Sequence, residues 1–292
     1  MDINEYRERL KEAGFRAIPG RGNTVWVSHE RFSMLRLPAF AVEVPSRDEI
    51  KSVFRLSRAA MLSFCVRPTH SLPANSQQYL CQDAEYFLEK LAKGVRYDIR
   101  RGLSEFELKF LDQSDILSKG KEAYYDTLAR TGLSASHRES FEHVFGGSRR
   151  DRRYLGALKR NRLAAFLLVT EVEDWVSIGG YSANEFLPLR PNNALVYHAV
   201  HYYLVEKKFR VVDYGLSSIQ ADSKAEGLHK FKLKMGFEPV PVHRAFVVNP
   251  LLKPLVNRIS LRFAQGMLRV SPKNPVLKKA EGALRLALQG RN

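Results

Sequence analysis

The sequence predicts a mixed α/β fold (α+β), with a mostly antiparallel sheet flanked by helices. Three observations carry this reading. From residue 105 to 248 the apolar periodicity switches between two and 3.6, in the order strand, helix, helix, three strands, helix, strand, helix, strand. The three middle strands, 154–159, 163–171 and 175–183, are separated by Arg160-Asn161-Arg162 and by Glu173-Asp174, which are short enough to be tight turns. No apolar run approaches the roughly 18 residues that span a bilayer.

The elements follow in order. Residues 24–28 and 40–44 read as short strands. Ser46 precedes DEIKSVFRLSR, a helix with a capping serine and acids in its first turn. Residues 62–67 form a strand ended by Pro68, and 84–101 a helix ended by Gly102. A strand at 105–111 alternates in polarity, and 115–130 and 137–145 are helical. After the three strands, 194–209 is a helix behind an Asn192-Asn193 cap. A short buried strand at 211–214 leads to a helix that starts at Ser223 and stops at Gly236, and 237–248 is a final strand or strand pair. This divides the chain into an N-terminal α/β subdomain (1–104), a core domain (105–249) and a helical tail (250–292).

The chain has 292 residues, 45% hydrophobic and 27% charged, with a formal net charge of +16. That excludes a disordered or collagen-like chain and points to an anionic partner. The N-terminus lacks an apolar secretory h-region. Cys65 and Cys81 match no zinc or CxxC spacing, so free thiols in a reducing cytoplasm are expected. The charge is uneven. Nine Lys or Arg and a single acid, Glu281, fall in 250–292, which therefore holds half of the excess. The tail reads as two helices separated by SPKNP. Leu252, Val256, Ile259, Phe263 and Met267 form one apolar stripe, with Lys253, Arg258, Arg262 and Arg269 largely off it. Such a helix packs on its own domain, lies peripherally on an anionic membrane surface at the inner face, or meets RNA.

One lysine departs from the ordinary pattern. Ser223 and Glu226 form an S-x-x-E capping box, and Gly236 is placed to end the helix. At about 100° per residue with Leu228 at zero, Phe231 falls at about 300°, Met235 at about 340° and Ala225 at about 60°. Lys230 and Lys234 point away, at about 200° and 240°. Lys232 falls at about 40°, inside the apolar arc. A cation there is paired, snorkels into a polar cleft, or stands ready to stabilise developing negative charge.

Asp213-Tyr214-Gly215, then Gly227-Leu228-His229-Lys230-Phe231-Lys232 and Met235-Gly236-Phe237, resemble the C-terminal signature of the Fem-type (FemAB-like) branch of GNAT-fold proteins. These include peptidoglycan-bridge aminoacyltransferases and cellulose-biosynthesis-associated acetyltransferases. The run RYDIRR at 96–101 resembles the basic helix ahead of that core, so the match covers roughly 85–248. The resemblance implies a GNAT-like sheet and an acyl- or aminoacyltransferase, active in cell-envelope or polysaccharide synthesis. Residues 1–104 would then be a reduced first half. It places Phe231 and Lys232 at the reaction centre, with the lysine assisting the oxyanion or the leaving group. Asp213, Tyr214, Gly215 and Ser217 would line the substrate site at the strand end, although Asp213 also suits a turn and Gly215 a backbone requirement.

The stretch 184–193 departs from acetyl-CoA-dependent relatives, because it lacks the glycines of a pyrophosphate loop. Arg190 with Asn192 and Asn193 could hold an anion instead. Aminoacyl-tRNA and acyl-CoA or an acyl carrier remain as donors, with no tightly bound cofactor expected. His198 and His201, three apart, have no third metal ligand nearby in sequence. His198, Tyr181 or a neighbouring tyrosine serves as a proton acceptor or belongs to a packed aromatic helix, and His229 lies on the same side as Lys232. Arg96, Arg100 and Arg101 hold phosphate or form a solvated basic face. The alternative from another class is a non-catalytic basic adaptor that binds RNA or membrane on a GNAT scaffold.

Overall fold

A computed structural model describes residues 1–29, 32–131, 140–217, 223–271, 274, 277, 281, 282, 284, 285 and 288. The helices are α1 (Ile3–Glu12), α2 (Arg47–Ser57), α3 (Lys93–Glu105), α4 (Gln113–Lys119), α5 (Lys121–Thr131), α6 (Phe141–Phe145), α7 (Pro191–Val200), α8 (Ser223–Lys234) and α9 (Arg258–Val270). The strands are β1 (Ala17–Pro19), β2 (Val25–His29), β3 (Ser33–Leu37), β4 (Met61–Val66), β5 (Ser76–Cys81), β6 (Glu107–Leu111), β7 (Arg153–Lys159), β8 (Arg162–Val172), β9 (Trp175–Ser182), β10 (Val211–Leu216) and β11 (Glu238–Val248). Contacts divide the chain into two compact units. One comprises Met1–Asp2, Gln78–Ser217 and Ala221–Val240, the other Ile3–Gln77 and Pro241–Asn292.

The first unit holds strands in the order β5-β10-β9-β8-β7-β6. Its registered pairs are antiparallel except β9 with β10. The β7–β8 and β8–β9 hairpins close where the sequence expects. Arg160 and Asn161 both have positive φ (49° and 65°), the backbone of a two-residue turn that matches strand twist. The β9–β10 connection is the crossover through α7, which starts at Pro191 and continues as a wider helical turn, His201–Glu206. Asn192 and Asn193 thus lie inside the first turn, not at the cap, because Pro191 takes the opening position with its fixed φ. The core runs through Phe166, Leu167, Val176, Leu195, Val200, Met235 and Phe237, all nearly inaccessible.

The second unit pairs its strands in the order β1-β2-β3-β4-β11. Ser46 caps α2, accepting the backbone N–H of Glu49. Several expectations fail, in this unit and in the first. Residues 40–44 are not a strand; the strand is β3, hidden because the buried Arg36 interrupts its apolar pattern. β5 of the first unit was unread for a similar reason, since Gln78 is wholly buried. The helix expected over 84–101 starts at Lys93, after a turn at Leu88–Lys90, and runs past Gly102 to Glu105. Gly102 does not end it. A Cβ there would lie 2.5 Å from the Arg190 carbonyl oxygen and 2.8 Å from Ala194 Cβ, so glycine permits the close approach of α3 and α7. The helix expected over 115–130 is broken into α4 and α5 at Gly120. Of 137–145, the described helix is α6; the earlier part lies outside the described residues.

Among the described residues, no helix is long and apolar enough to cross a membrane. Cys65 and Cys81 are free and buried.

Candidate functional site

Lys232 is only 3% exposed. In the same turn of α8 Phe231 is half-buried and Leu233 and Lys234 are exposed, and Leu228 is 46% exposed and does not centre a buried stripe as expected. The helix meets the core through Phe231, and Met235, just past its C-terminal end, is buried in it, while Glu226, Gly227 and Leu228 are exposed. The ammonium donates to the Tyr214 carbonyl oxygen at 2.8 Å. It also lies over the Tyr79 ring at 4.2 Å and the Tyr214 ring at 4.9 Å from the centroids, a cation–π seat that offsets lost hydration.

The carbonyl is aimed by a defect in the ladder. β10 shifts register against β5 between Asp213 and Leu216, and Gly215 at φ 74° makes the kink without strain. Asp213 pins the kink. Its Oδ1 accepts the Gly215 N–H at 2.6 Å and the Gln78 amide. β9 and β10 register only through Asp213 opposite Ser177, although β9 continues to Ser182 and β10 to Leu216. The site lies at this end of the parallel pair, where α/β folds gather binding groups.

Burial pushes Lys232 down to about 8, opposed by the charge of Asp213. Burial pushes Asp213 up to about 6, opposed by the Gly215 N–H, the Gln78 amide and Lys232. Lysine has three donors. One goes to Tyr214, which leaves two for the ring faces or for a ligand oxygen.

The other expected residues divide into two sets. Phe231 meets the Tyr214 ring edge-on at 6.4 Å, and Ser217 follows β10. His229 Nδ1 is 2.7 Å from the Tyr79 hydroxyl, so one tyrosine touches both His229 and Lys232. Asp213, Tyr214, Gly215, Phe231, Lys232 and His229 thus come together. Tyr79 and Gln78 complete the group and were missed, because the strand that carries them was not recognised.

The remaining residues lie elsewhere, most of them engaged in other contacts. Tyr181 stacks on Phe166 at 5.1 Å, beside Tyr124 at 5.3 Å. His198 stacks on Tyr202, and burial pushes its pKa down. Arg190 pairs with Asp98 at 3.1 Å. Asn192 donates to Ser182 Oγ at 3.0 Å, and Asn193 lies 3.8 Å from Met235 Sδ. Arg96 is half-buried and Arg100 exposed on α3. Among the described residues, no cluster of three or more His, Cys, Asp or Glu is placed to hold a metal ion.

Neither protein-family profiles nor curated sequences match the chain. Solved structures do. FemX is 11% identical, with a TM-score of 0.57 over 87% of this chain and 98% of that one. The C-terminal DUF2156 domain of an Agrobacterium fabrum protein named as a lysylphosphatidylglycerol synthetase is 14% identical, with a TM-score of 0.53 over 87% and 94%. L-PGS from Bacillus licheniformis is 11% identical, with a TM-score of 0.51 over 85% and 90%. The chain has the fold of these proteins, and the Fem-type resemblance holds at that level.

Proposed function

We propose that the protein is an aminoacyltransferase that moves an aminoacyl group from aminoacyl-tRNA to an amine or hydroxyl of a cell-envelope acceptor. The observation that carries this reading is Lys232, a buried cation with donors to spare, held at the kinked end of β10. The acceptor adds to the carbonyl carbon of the donor ester, and charge gathers on the carbonyl oxygen. Lys232 donates to that oxygen in a site that excludes water, where such a bond counts for most. The ribose oxygen of the tRNA then leaves with the proton that the acceptor gives up. His229, held by Tyr79, is the imidazole beside Lys232 that can carry this proton.

Three features favour tRNA over acyl-CoA. The segment 184–193 has no glycine to cradle a pyrophosphate. The start of α7 is packed against α3, with Arg190, Asn192 and Asn193 all engaged. The net charge of +16 suits a polyanion. The likeness to lysylphosphatidylglycerol synthetases supports an aminoacyl group and a lipid-linked acceptor.

The test is transfer of label from tRNA charged with radiolabelled amino acids into lipid-extract and cell-wall-precursor fractions. [14C]Acetyl-CoA serves as the rival donor. Transfer from tRNA that falls about 10²–10³-fold in Lys232→Met is the expected result. Transfer from acetyl-CoA alone, or full activity in a folded Lys232→Met variant, overturns the reading.

A further inference from the structure

The α9 helix carries an apolar face that the described residues of the unit leave uncovered. The expected stripe is split by the fold. Val256 and Ala264 are buried and Leu261 and Leu268 half-buried, whereas Ile259 is 78%, Phe263 70%, Val270 84% and Met267 41% exposed. At about 100° per residue these four span an arc of about 80°. Arg258, Arg262 and Arg269 occupy the adjoining arc of about 40°, and Ser260, Leu261, Ala264 and Leu268 form the docked side beyond the apolar arc. Three faces thus follow one another round the helix: docked, exposed apolar, and basic.

We propose that this face of α9 seats the protein on the surface of an anionic lipid bilayer, with Ile259, Phe263, Met267 and Val270 in the acyl boundary and the three arginines at the headgroups. The inference is independent of the chemistry proposed for Lys232. An exposed cluster of one aromatic and three large aliphatic side chains is costly in water and gains on entering an apolar phase. Arginines beside that cluster reach headgroup phosphates while their stems cover apolar surface.

Charge selects this occupant. Residues 250–292 hold nine cations and one acid, Glu281. That acid is engaged by Gln265 at 3.4 Å and Arg285 at 3.6 Å. A second copy would bring two arginine arcs together. RNA would use the arginines but leave Ile259, Val270 and Met267 in water.

The experiment is co-sedimentation of the full chain with vesicles of phosphatidylcholine containing about a third phosphatidylglycerol, against phosphatidylcholine alone. Anionic vesicles are expected to bind at least about tenfold more tightly. Arg258→Gln with Arg262→Gln and Arg269→Gln lowers that affinity about a hundredfold. Ile259→Ser with Phe263→Ser lowers it more than about tenfold, at an unchanged melting temperature because both positions are exposed. Three results overturn the proposal. They are no binding to anionic vesicles, binding that survives both sets of substitutions, and a dimer or tRNA complex that the serine variant abolishes while vesicle binding stays intact.

Discussion

Arg36 in one unit and Lys232 in the other, two of the buried cations among the described residues, are put to different uses by their surroundings. Arg36 is 2% exposed and Lys232 3%. Arg36 donates to the Glu43 carbonyl at 2.6 Å and to Thr24 Oγ1 at 3.3 Å, and it stands 3.9 Å from the Glu49 carboxylate. Glu49 in turn accepts from the Trp26 indole at 2.8 Å. That guanidinium is tied into the structure by several partners. Lys232 donates one hydrogen bond among the described residues, to a backbone carbonyl, and otherwise faces aromatic rings. The lesson is that burial of a charge does not mark a site. A buried charge whose donors are committed holds a fold, and one with donors to spare can hold a ligand.

The comparison can be broken by substitution. The largest expected effect is at Lys232: Lys232→Met lowers kcat/KM for transfer about 10²–10³-fold and leaves the melting transition in place, measured on the same preparation. Arg36→Met should do the reverse. It removes the guanidinium beside the Glu49 carboxylate, which keeps the Trp26 indole as a donor, and costs about 3 kcal/mol of stability by denaturant unfolding, while the folded fraction keeps its transfer activity. Gly215→Ala comes next. A Cβ there meets nothing within 4 Å, so only the left-handed backbone resists, at about 1 kcal/mol. Because the same kink aims the Tyr214 carbonyl, kcat is expected to fall with it, and a variant that loses stability but no activity would separate the two.

The two cations also show how far the sequence could be read. Lys232 was legible because helical angle alone puts it among apolar neighbours. The hairpins of β7, β8 and β9 were legible because Arg160-Asn161 and Glu173-Asp174 are local turn signals. The docking of α8 was not, since that Phe231 and Lys232 are covered and Leu228 is not depends on the core around Met235. β3 and β5 were hidden because their buried polar residues find partners elsewhere in the chain. Gln78 bonds Asp213, 135 residues away, and no local pattern reports such a bond. Tyr79 disappeared with its strand. In α9 the apolar positions were legible, but two apolar arcs share the helix, and only packing decides which is docked.

In the proposed reaction a protonated Lys232 acts on the reacting oxygen. With its pKa lowered to about 8, the ammonium is present below that pH and lost above it. The direct measurement is the pH dependence of kcat/KM in wild type and in Lys232→Arg, with folding checked by thermal melting. The expected upper limb falls above about pH 8 in wild type and moves above about pH 10 or disappears in the arginine variant, because arginine stays charged throughout. An active arginine variant whose limb stays where it was would contradict it.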